Sequence, residues 1–126
     1  MELSTKIYLL DGNGDKFMGI GVLWLLEAVD ESSSLRQAAK KMELSYSKAY
    51  NMLSHLEESL GRPMVERRRG GHSREGIELT SFAREFIALY KDFQKEAKAR
   101  VEDAFADFRR SLDTLMEEED GKGKTL

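Results

Sequence analysis

A short central segment of the chain places small polar, amide and basic side chains at successive positions of one predicted helix. Asparagine can form two hydrogen bonds with the edge of adenine, and lysine can reach guanine or a phosphate oxygen. Tyrosine can contact a phosphate or a thymine methyl group, and the start of a helix carries a partial positive charge that favours phosphate. The residues with these properties are Ser45, Tyr46, Ser47, Lys48, Tyr50 and Asn51.

A second basic segment contains three consecutive arginines followed by two glycines. Alternate residues of a strand point to opposite faces, so the arginines can reach one surface only if the tip bends, which glycine allows. Such a hairpin can lie over a DNA backbone or place an arginine in the minor groove. The alternative is a polar helix face beside a solvated basic loop. The remaining predicted DNA contacts are Arg36, Arg67, Arg68, Arg69, His72 and Arg74.

Positive charge is concentrated in the middle of the chain. The segment from Arg36 to Arg74 contains nine lysines and arginines and four acidic residues, a local charge of +5. The whole chain of 126 residues carries −3, so the rest of it carries −8. Counterions are released where basic side chains meet phosphates, and local charge therefore matters more than net charge. The acidic remainder should repel DNA and orient the basic face toward it.

The elements that would position these residues follow from the spacing of apolar side chains and from helix-capping residues. Ser33 or Ser34, and then Ser45, suit the starts of two successive helices, because a serine hydroxyl accepts a hydrogen bond from a free backbone N–H. Gly61 suits the end of the second helix, and Pro63 prevents it from continuing. The predicted elements are a strand Leu3–Leu10, a turn Asp11–Asp15, helices Gly19–Asp30, Leu35–Met42 and Tyr46–Leu60, strands Met64–Arg68 and Ile77–Thr80, and a last helix, capped by Thr80 or Ser81, that ends near Glu118.

This order of elements predicts a mainly α fold with a small β-wing, which is a winged helix-turn-helix followed by a long C-terminal dimerisation helix. We expect residues 1–80 to form the DNA-binding domain, residues 81–118 the dimerisation helix and residues 119–126 a disordered tail. Phe17 and Trp24 are expected in the core.

Apolar residues recur along the last helix at a mean spacing of about 3.67 residues, with little of the drift that produces a left-handed coiled coil. At 1.5 Å per residue the helix would span roughly 58 Å, more than the width of so small a domain. Its distal phenylalanines would be exposed unless a partner covers them, which predicts a homodimer. The alternative is a hinge near residues 95–100. The expected interface residues are Phe86, Leu89, Phe93, Val101, Phe105, Phe108 and Leu112.

Composition and motifs argue against several other classes of protein. The chain has no cysteine, which excludes disulfides and thiolate metal sites. It has no apolar run of the roughly 18 residues that a membrane span requires. The N-terminus lacks the basic start and long apolar core of a signal peptide, so we expect a cytoplasmic protein.

The turn at Asp11–Asp15 resembles the start of a calcium loop, but the match then fails. Lys16 occupies the position of the sharp-turn glycine, and Val22 occupies that of the bidentate glutamate. His72 has no partner residues that would make a metal site. No nucleophile, base or carboxylate pair stands out, so we expect no enzyme activity, no cofactor and no metal.

The segment from about Leu3 to Tyr90 resembles the N-terminal DNA-binding domain of the ModE-type molybdate-responsive regulators, which are related to the LysR-type winged helices. The matching features are LLEAVDE in the first helix, SLRQAAKKM in the second, SYSKAYNML in the third, the GRP turn, the ERRRGG wing and the ELT return strand. The resemblance implies a DNA-binding homodimer on operators with two-fold symmetry. It also implies that residues 67–74 form the wing and that the major groove is contacted by Ser45, Tyr46, Ser47, Lys48 and Asn51.

The chain departs from this family at its C-terminal end. Full-length members resemble a fusion of the same domain with a C-terminal molybdate-binding module, for which the chain ending at Leu126 has no room. We therefore expect a stand-alone version that does not bind molybdate.

Three hypotheses of function follow. The first is a sequence-specific DNA-binding transcriptional regulator that acts as a homodimer on a palindromic operator. The alternative is a protein-interaction module that uses a winged-helix scaffold and binds DNA only non-specifically, which the acidic remainder and the phenylalanine stripe favour. The third is a small-ligand sensor with a pocket at the dimer seam.

Overall fold

The computed structural model describes residues 1–68 and 76–124, and residues 123 and 124 by their backbone alone. It contains two compact units, one of which is Lys6–Tyr90 and the other Met1–Thr5 with the chain from Lys91 onward. The elements among the described residues are β1 (Leu9–Leu10), β2 (Lys16–Met18), α1 (Ile20–Ser32), α2 (Leu35–Lys41), α3 (Tyr46–Leu60), β3 (Val65–Arg67), β4 (Ile77–Leu79) and α4 (Ser81–Lys124). The predicted fold class, a mainly α winged helix-turn-helix with a long C-terminal helix, is confirmed.

The N-terminal strand is shorter than predicted. Only Leu9–Leu10 of the predicted Leu3–Leu10 is a strand, and it pairs antiparallel with β2. The pairing ends early because β2 has three residues and α1 begins at Ile20, so no longer partner strand is available. The predicted turn is present: the Asp11 carboxylate accepts hydrogen bonds from the backbone N–H groups of Asn13 and Asp15.

The core of the larger unit is built from α1, α2, α3 and the first residues of α4. Small side chains at Ala38, Ala39 and Ala49 let the three helices approach closely, and all three are buried. Larger buried side chains fill the space between them, and Ala83 and Tyr90 bring α4 into the same cluster. This explains why the larger unit extends to Tyr90 instead of ending near Thr80. The largest fully buried side chains are Met18, Leu25, Leu26, Val29, Leu56 and Met64.

The prediction that Trp24 lies in the core is wrong. The side chain is 55% exposed, because α1 turns its Leu23, Leu25, Leu26 and Val29 positions toward the other helices and Trp24 away from them. Phe17, by contrast, is half-buried and packs against the core.

The helix-turn-helix follows the capping residues closely. Ser34 and Ser45 each accept a hydrogen bond from a backbone N–H in the first turn of their helix, at 3.1 Å in both cases. Gly61 ends α3 in the left-handed conformation, with φ of 66°. The turn between α2 and α3 passes through Glu43, also at a positive φ of 58°. These residues set the direction of α3.

The wing is a two-stranded antiparallel ribbon in which Val65 pairs with Leu79 and Arg67 with Ile77. Its two ends are attached to different parts of the core. The N–H of Met64 donates to the Glu57 carboxylate of α3 at 2.7 Å, and the N–H of Ile77 donates to the Ser33 carbonyl at 2.9 Å. The wing is therefore oriented by α3 and by the α1–α2 loop.

The last helix begins as predicted and ends later. The Thr80 hydroxyl accepts a hydrogen bond from the Ala83 N–H at 3.0 Å, which identifies Thr80 as the cap. Residues 95–100, where the alternative hinge was placed, are helical. The helix continues past Glu118 to Lys124. The prediction of a disordered tail from residue 119 is therefore wrong as far as Lys124, because the helical hydrogen bonds continue through Asp120 and Gly121. Thr125 and Leu126 lie outside the described residues.

Candidate nucleic-acid interface

The geometry of α3 assigns its side chains to four directions. Successive residues of an α-helix are turned by roughly 100°. Ala49, Leu53 and Leu56 thus face the core, and all three are buried. The opposite direction, which we call the DNA face, is occupied by Ser47 and Asn51, both exposed. On either side of the DNA face lies a groove.

The first groove, the wing groove, separates α3 from the wing and has a volume of about 440 Å³. Tyr46, Tyr50 and Ser54 line its α3 side. Gly76 and Ile77 line its far side. Glu57 also lines this groove, but its carboxylate accepts the hydrogen bond from Met64 N–H described above, which leaves it engaged inside the protein.

Three predicted contact residues form one cluster beside the wing groove. The Arg36 guanidinium lies 4.8 Å from the centre of the Tyr46 ring, and the Tyr46 and Tyr50 rings stack at 6.3 Å. Cation–π contact of this kind holds a guanidinium in place without neutralising its charge. Arg36 of α2 is thereby held next to the first turn of α3. A phosphate at this position would be stabilised by the guanidinium and by the partial positive charge at the start of the helix.

The second groove, the hairpin groove, separates α3 from β2 and has a volume of about 410 Å³. Lys48, Asn51 and His55 line its α3 side, and Lys16 and Phe17 line the opposite side. Sequence reasoning assigned no role to His55 or Lys16. No local pattern could have identified them, because His55 is hydrogen-bonded to Asp11, 44 positions away, and Lys16 reaches the groove from β2, far from α3 in the chain.

That contact is a hydrogen bond between α3 and the N-terminal turn. Nε2 of His55 lies 2.8 Å from Oδ2 of Asp11. Hydrogen bonding from His55, together with bonds from the Asp15 and Asn13 N–H groups, lowers the pKa of the Asp11 carboxyl below its ordinary value of 3.8. An ionised carboxylate can only accept, so Nε2 of His55 is the donor. The Phe17 ring packs edge-on against the imidazole at 6.5 Å.

The charge on the DNA-facing side is left available for a ligand. Lys41 is hydrogen-bonded to Glu31, and Arg84 pairs with Asp30 at 2.9 Å. Lys48, by contrast, forms no ion pair within the part of the chain that the structure describes. Exposed cations without carboxylate neighbours are the groups that exchange counterions for phosphates.

The predicted wing residues are only partly described. Arg67 and Arg68 are exposed, and the Arg68 N–H donates to the Gly76 carbonyl at 3.1 Å. Arg69, His72 and Arg74 lie outside the described residues.

The residues predicted for a dimer interface fall into both compact units. Phe86 packs against the core and stacks between Phe82 and Tyr90 at 6.5 Å and 6.3 Å. Leu89 is exposed. The others lie beyond Lys91 and are exposed or half-buried: Phe93, Val101, Phe105, Phe108 and Leu112.

The described residues show neither a metal-binding cluster nor a membrane-spanning helix. They contain no group of three or more histidine, aspartate or glutamate side chains placed to hold a metal ion. In the same part of the chain, none of the helices is both long and apolar enough to cross a membrane.

Comparison with known proteins connects this geometry to relatives of known type. The chain is 31% identical over 78 residues to the molybdenum transport protein ModE of Azotobacter vinelandii, covering 62% of this chain and 29% of that protein. It is 30% identical over 92 residues to the transcriptional regulator ModE of Haemophilus influenzae, covering 73% of this chain and 36% of that protein. The resemblance found in the sequence is confirmed, and the chain spans about a third of the length of these relatives.

Solved structures with the same fold include one bound to DNA. The CbnR DNA-binding domain in its DNA complex matches with a TM-score of 0.53 and 27% identity, over 71% of this chain and 97% of that chain. The LysR family transcriptional regulator CbnR matches with a TM-score of 0.52 and 27% identity, over 71% of this chain and 29% of that chain.

The family model for bacterial regulatory helix-turn-helix proteins of the LysR family matches residues 21–84, a segment that runs from α1 to the first residues of α4 and includes α2, α3 and the wing. The match covers half of the 126 residues. On this evidence the chain belongs to the LysR family of bacterial regulatory helix-turn-helix proteins, a family of DNA-binding transcriptional regulators.

Proposed function

We propose that this protein regulates transcription as a homodimer that binds sequence-specifically to DNA sites with two-fold symmetry. The observation that carries the proposal is the DNA face of α3, where Ser47 and Asn51 are exposed between two grooves that contain Arg36 and Lys48. Asn51 would read a base edge in the major groove, and the flanking cations would hold phosphates.

The wing adds a second contact to this proposal. Arg67 and Arg68 are exposed on β3, which runs beside the wing groove. In the proposed complex they lie over the DNA backbone next to the half-site and raise affinity for every sequence alike. The CbnR DNA-binding domain, which shares the fold, was solved in complex with DNA, and this supports DNA binding by the present chain.

The homodimer is supported by the surface of α4. Leu89 is 70% exposed and Phe108 is 57% exposed, and further along the helix Leu115 and Met116 are also exposed. Large apolar side chains repeated along one helix are stabilised when a second copy covers them. Two copies would present two α3 helices and would therefore favour a site with two similar halves.

Selection from random duplexes tests the proposal. The full chain is incubated with random-sequence duplexes at about 150 mM salt, and bound sequences are enriched over several rounds. We expect a palindromic consensus whose affinity falls steeply as salt rises. Failure to enrich any sequence would exclude the specific regulator.

A protein-interaction module with only non-specific DNA binding is the second candidate, and the exposed apolar residues of α4 are the observation that favours it. The two candidates differ in what covers α4. If the purified chain sediments with twice the mass of one copy and also enriches a DNA consensus, the regulator is supported. A monomer that binds all duplexes equally supports the module.

A further inference from the structure

The N-terminal hairpin formed by β1 and β2 precedes the segment that the LysR family model matches. The family match begins at residue 21, whereas the hairpin ends at Met18. It is nevertheless tied to α3. The hydrogen bond between Asp11 and His55, at 2.8 Å, joins the hairpin turn to the middle of the helix that carries the DNA face.

The hairpin also brings a lysine to the edge of that helix. Lys16 is exposed at the start of β2, and its ammonium lies 4.0 Å from the centre of the Tyr8 ring. The ring lies against Gly19, where a Cβ atom would come within 2.8 Å of Cδ1 of Tyr8. Because Gly19 has no side chain, the Tyr8 ring can pack against it. The ring in turn holds the Lys16 ammonium through the cation–π contact.

The hairpin groove has cationic and polar side chains that can hold an anion, beside the apolar Phe17, Val22 and Met52. Lys16 lies on its β2 side, and Lys48 lies on its α3 side with the Asn51 amide and the His55 imidazole. No carboxylate lines it among the residues that the structure describes. The nearby Asp11 carboxylate is engaged with His55 and with backbone N–H groups.

The position of the groove decides which anion it would take. Tyr46 and Tyr50 face the wing groove, while Lys48 and His55 face the hairpin groove, on the other side of the DNA face. A duplex whose major groove receives α3 has one phosphate backbone on each side of the helix. The wing serves one of these backbones, and the hairpin groove lies toward the other.

We propose that the hairpin groove binds a DNA backbone phosphate, with Lys16 and Lys48 as its two cationic contacts. Lys16 is thus a DNA-contacting residue contributed by an element outside the family match. The inference rests on the proposed DNA binding. It adds that the protein contacts the DNA backbone on both sides of α3, through the wing on one side and through the N-terminal hairpin on the other.

The first experiment measures affinity for a mixed-sequence duplex of about 25 base pairs by fluorescence anisotropy between 50 and 200 mM salt. A lost phosphate contact should weaken binding about five- to tenfold near 0.1 M salt and reduce the salt slope by about 0.9 per protomer. We expect this result for Lys16→Gln. The matched control is Lys41→Gln, which removes the same charge from a lysine that is hydrogen-bonded to Glu31 and lines a separate groove with Trp24.

The second experiment uses the absence of cysteine from the chain. Lys16→Cys and Arg67→Cys variants each offer one thiol for an iron–EDTA group that cleaves nearby DNA backbone. On a single selected site, we expect the two variants to cleave on opposite flanks of each half-site, because β2 borders the hairpin groove and β3 borders the wing groove, on opposite sides of α3.

The outcomes separate the inference from the proposed function. If Lys16→Gln and Lys41→Gln bind alike, or if Lys16→Cys cleaves no DNA while Arg67→Cys does, the inference fails and the regulator stands. If the unaltered protein binds no duplex at 50 mM salt, both fail. A selective loss with Lys16→Gln, together with cleavage on the two flanks, supports the inference.

Discussion

His55 of α3 and Asp11 of the N-terminal turn are joined by a hydrogen bond of 2.8 Å, although 44 positions separate them in the chain. The pair has a definite dependence on pH. Because the folded protein lowers the pKa of Asp11 below its ordinary value of 3.8, the ionised carboxylate stabilises the fold. That contribution is complete above the unfolded pKa and is lost as pH falls through the lower, folded pKa.

The first prediction concerns this carboxylate. Asp11→Asn keeps an oxygen that can accept from the Asn13 and Asp15 N–H groups but removes the charge that faces His55. We expect the variant to have a lower free energy of unfolding than the unaltered protein at pH 6. The difference should shrink as the pH is lowered below about 4. Urea unfolding at a series of pH values measures it, and a difference that is constant down to pH 2 would contradict the assignment.

The second prediction concerns Thr80, which joins the wing to the last helix. Its hydroxyl donates to the Pro63 carbonyl at 2.9 Å and accepts from the Ala83 N–H at 3.0 Å. Thr80→Val keeps the shape and loses both bonds, so we expect a destabilisation of about 2 kcal/mol. Thr80→Ser keeps the hydroxyl and should therefore lower the free energy of unfolding by less than Thr80→Val does. Denaturant midpoints compare the two variants, and equal losses would assign the effect to packing.

The third prediction compares two glycines with positive φ. Gly76 has φ of 103°, and a Cβ atom there would lie 2.6 Å from the Ser33 carbonyl oxygen. Gly61 has φ of 66° and open space around it. We expect Gly61→Ala to cost about 1 kcal/mol. Gly76→Ala should cost at least about 2 kcal/mol, because the substitution strains the backbone and pushes the wing away from the α1–α2 loop. Thermal unfolding provides the comparison, and a smaller loss for Gly76→Ala would argue against that contact.

The fourth prediction separates base reading from backbone binding. In the proposed complex Asn51 contacts a base and Arg68 a phosphate. Asn51→Ala should therefore lower discrimination between the selected site and its point variants by about 1–3 kcal/mol at one position. Arg68→Ala should weaken all sequences equally and reduce the salt slope. Competition binding with a panel of single-base variants distinguishes the two effects, and the reverse pattern would exchange the roles of the two residues.

The fifth prediction concerns the proposed homodimer. Leu89 and Phe108 are exposed large apolar residues of α4. Placing a carboxylate at either position, as in Leu89→Glu or Phe108→Glu, should disfavour the apolar interface and give a monomer at micromolar concentration. Lys95→Glu changes the charge at an exposed position on the side of α4 opposite the apolar stripe and should leave the dimer intact. Analytical ultracentrifugation reports the mass, and dimers in all three variants would exclude this surface.

Much of the fold could be predicted because it depends on neighbours in sequence. Ser45 caps α3 and Gly61 ends it because the hydrogen bonds and the backbone angle involved are local. The inner face of α3 follows from helical spacing, and Leu53 and Leu56 are buried as that spacing requires. The exposed polar residues of the DNA face, including Asn51, follow from the same periodicity.

The errors lie where distant parts of the chain decide the outcome. Trp24 is apolar and lies in an apolar helix, yet it is exposed because the core is filled by the other faces of α1. The first strand is cut to two residues by the short partner available to it. The tail beyond Glu118 is polar and charged, yet it continues α4, since each added residue closes a helical hydrogen bond onto a helix already formed.

The amino-acid sequence by itself determined the order of helices and strands from α1 onward, the caps that separate them and the set of polar and basic residues on α3, since these depend on periodicity and local hydrogen bonds. It did not predict β2 (Lys16–Met18), which forms by pairing with β1. Only the tertiary structure decided that Asp11 meets His55 and that Lys16 faces Lys48 across a groove. Those contacts join residues far apart in the chain. The packing of the hairpin against α3 brings them together, and no local pattern encodes it.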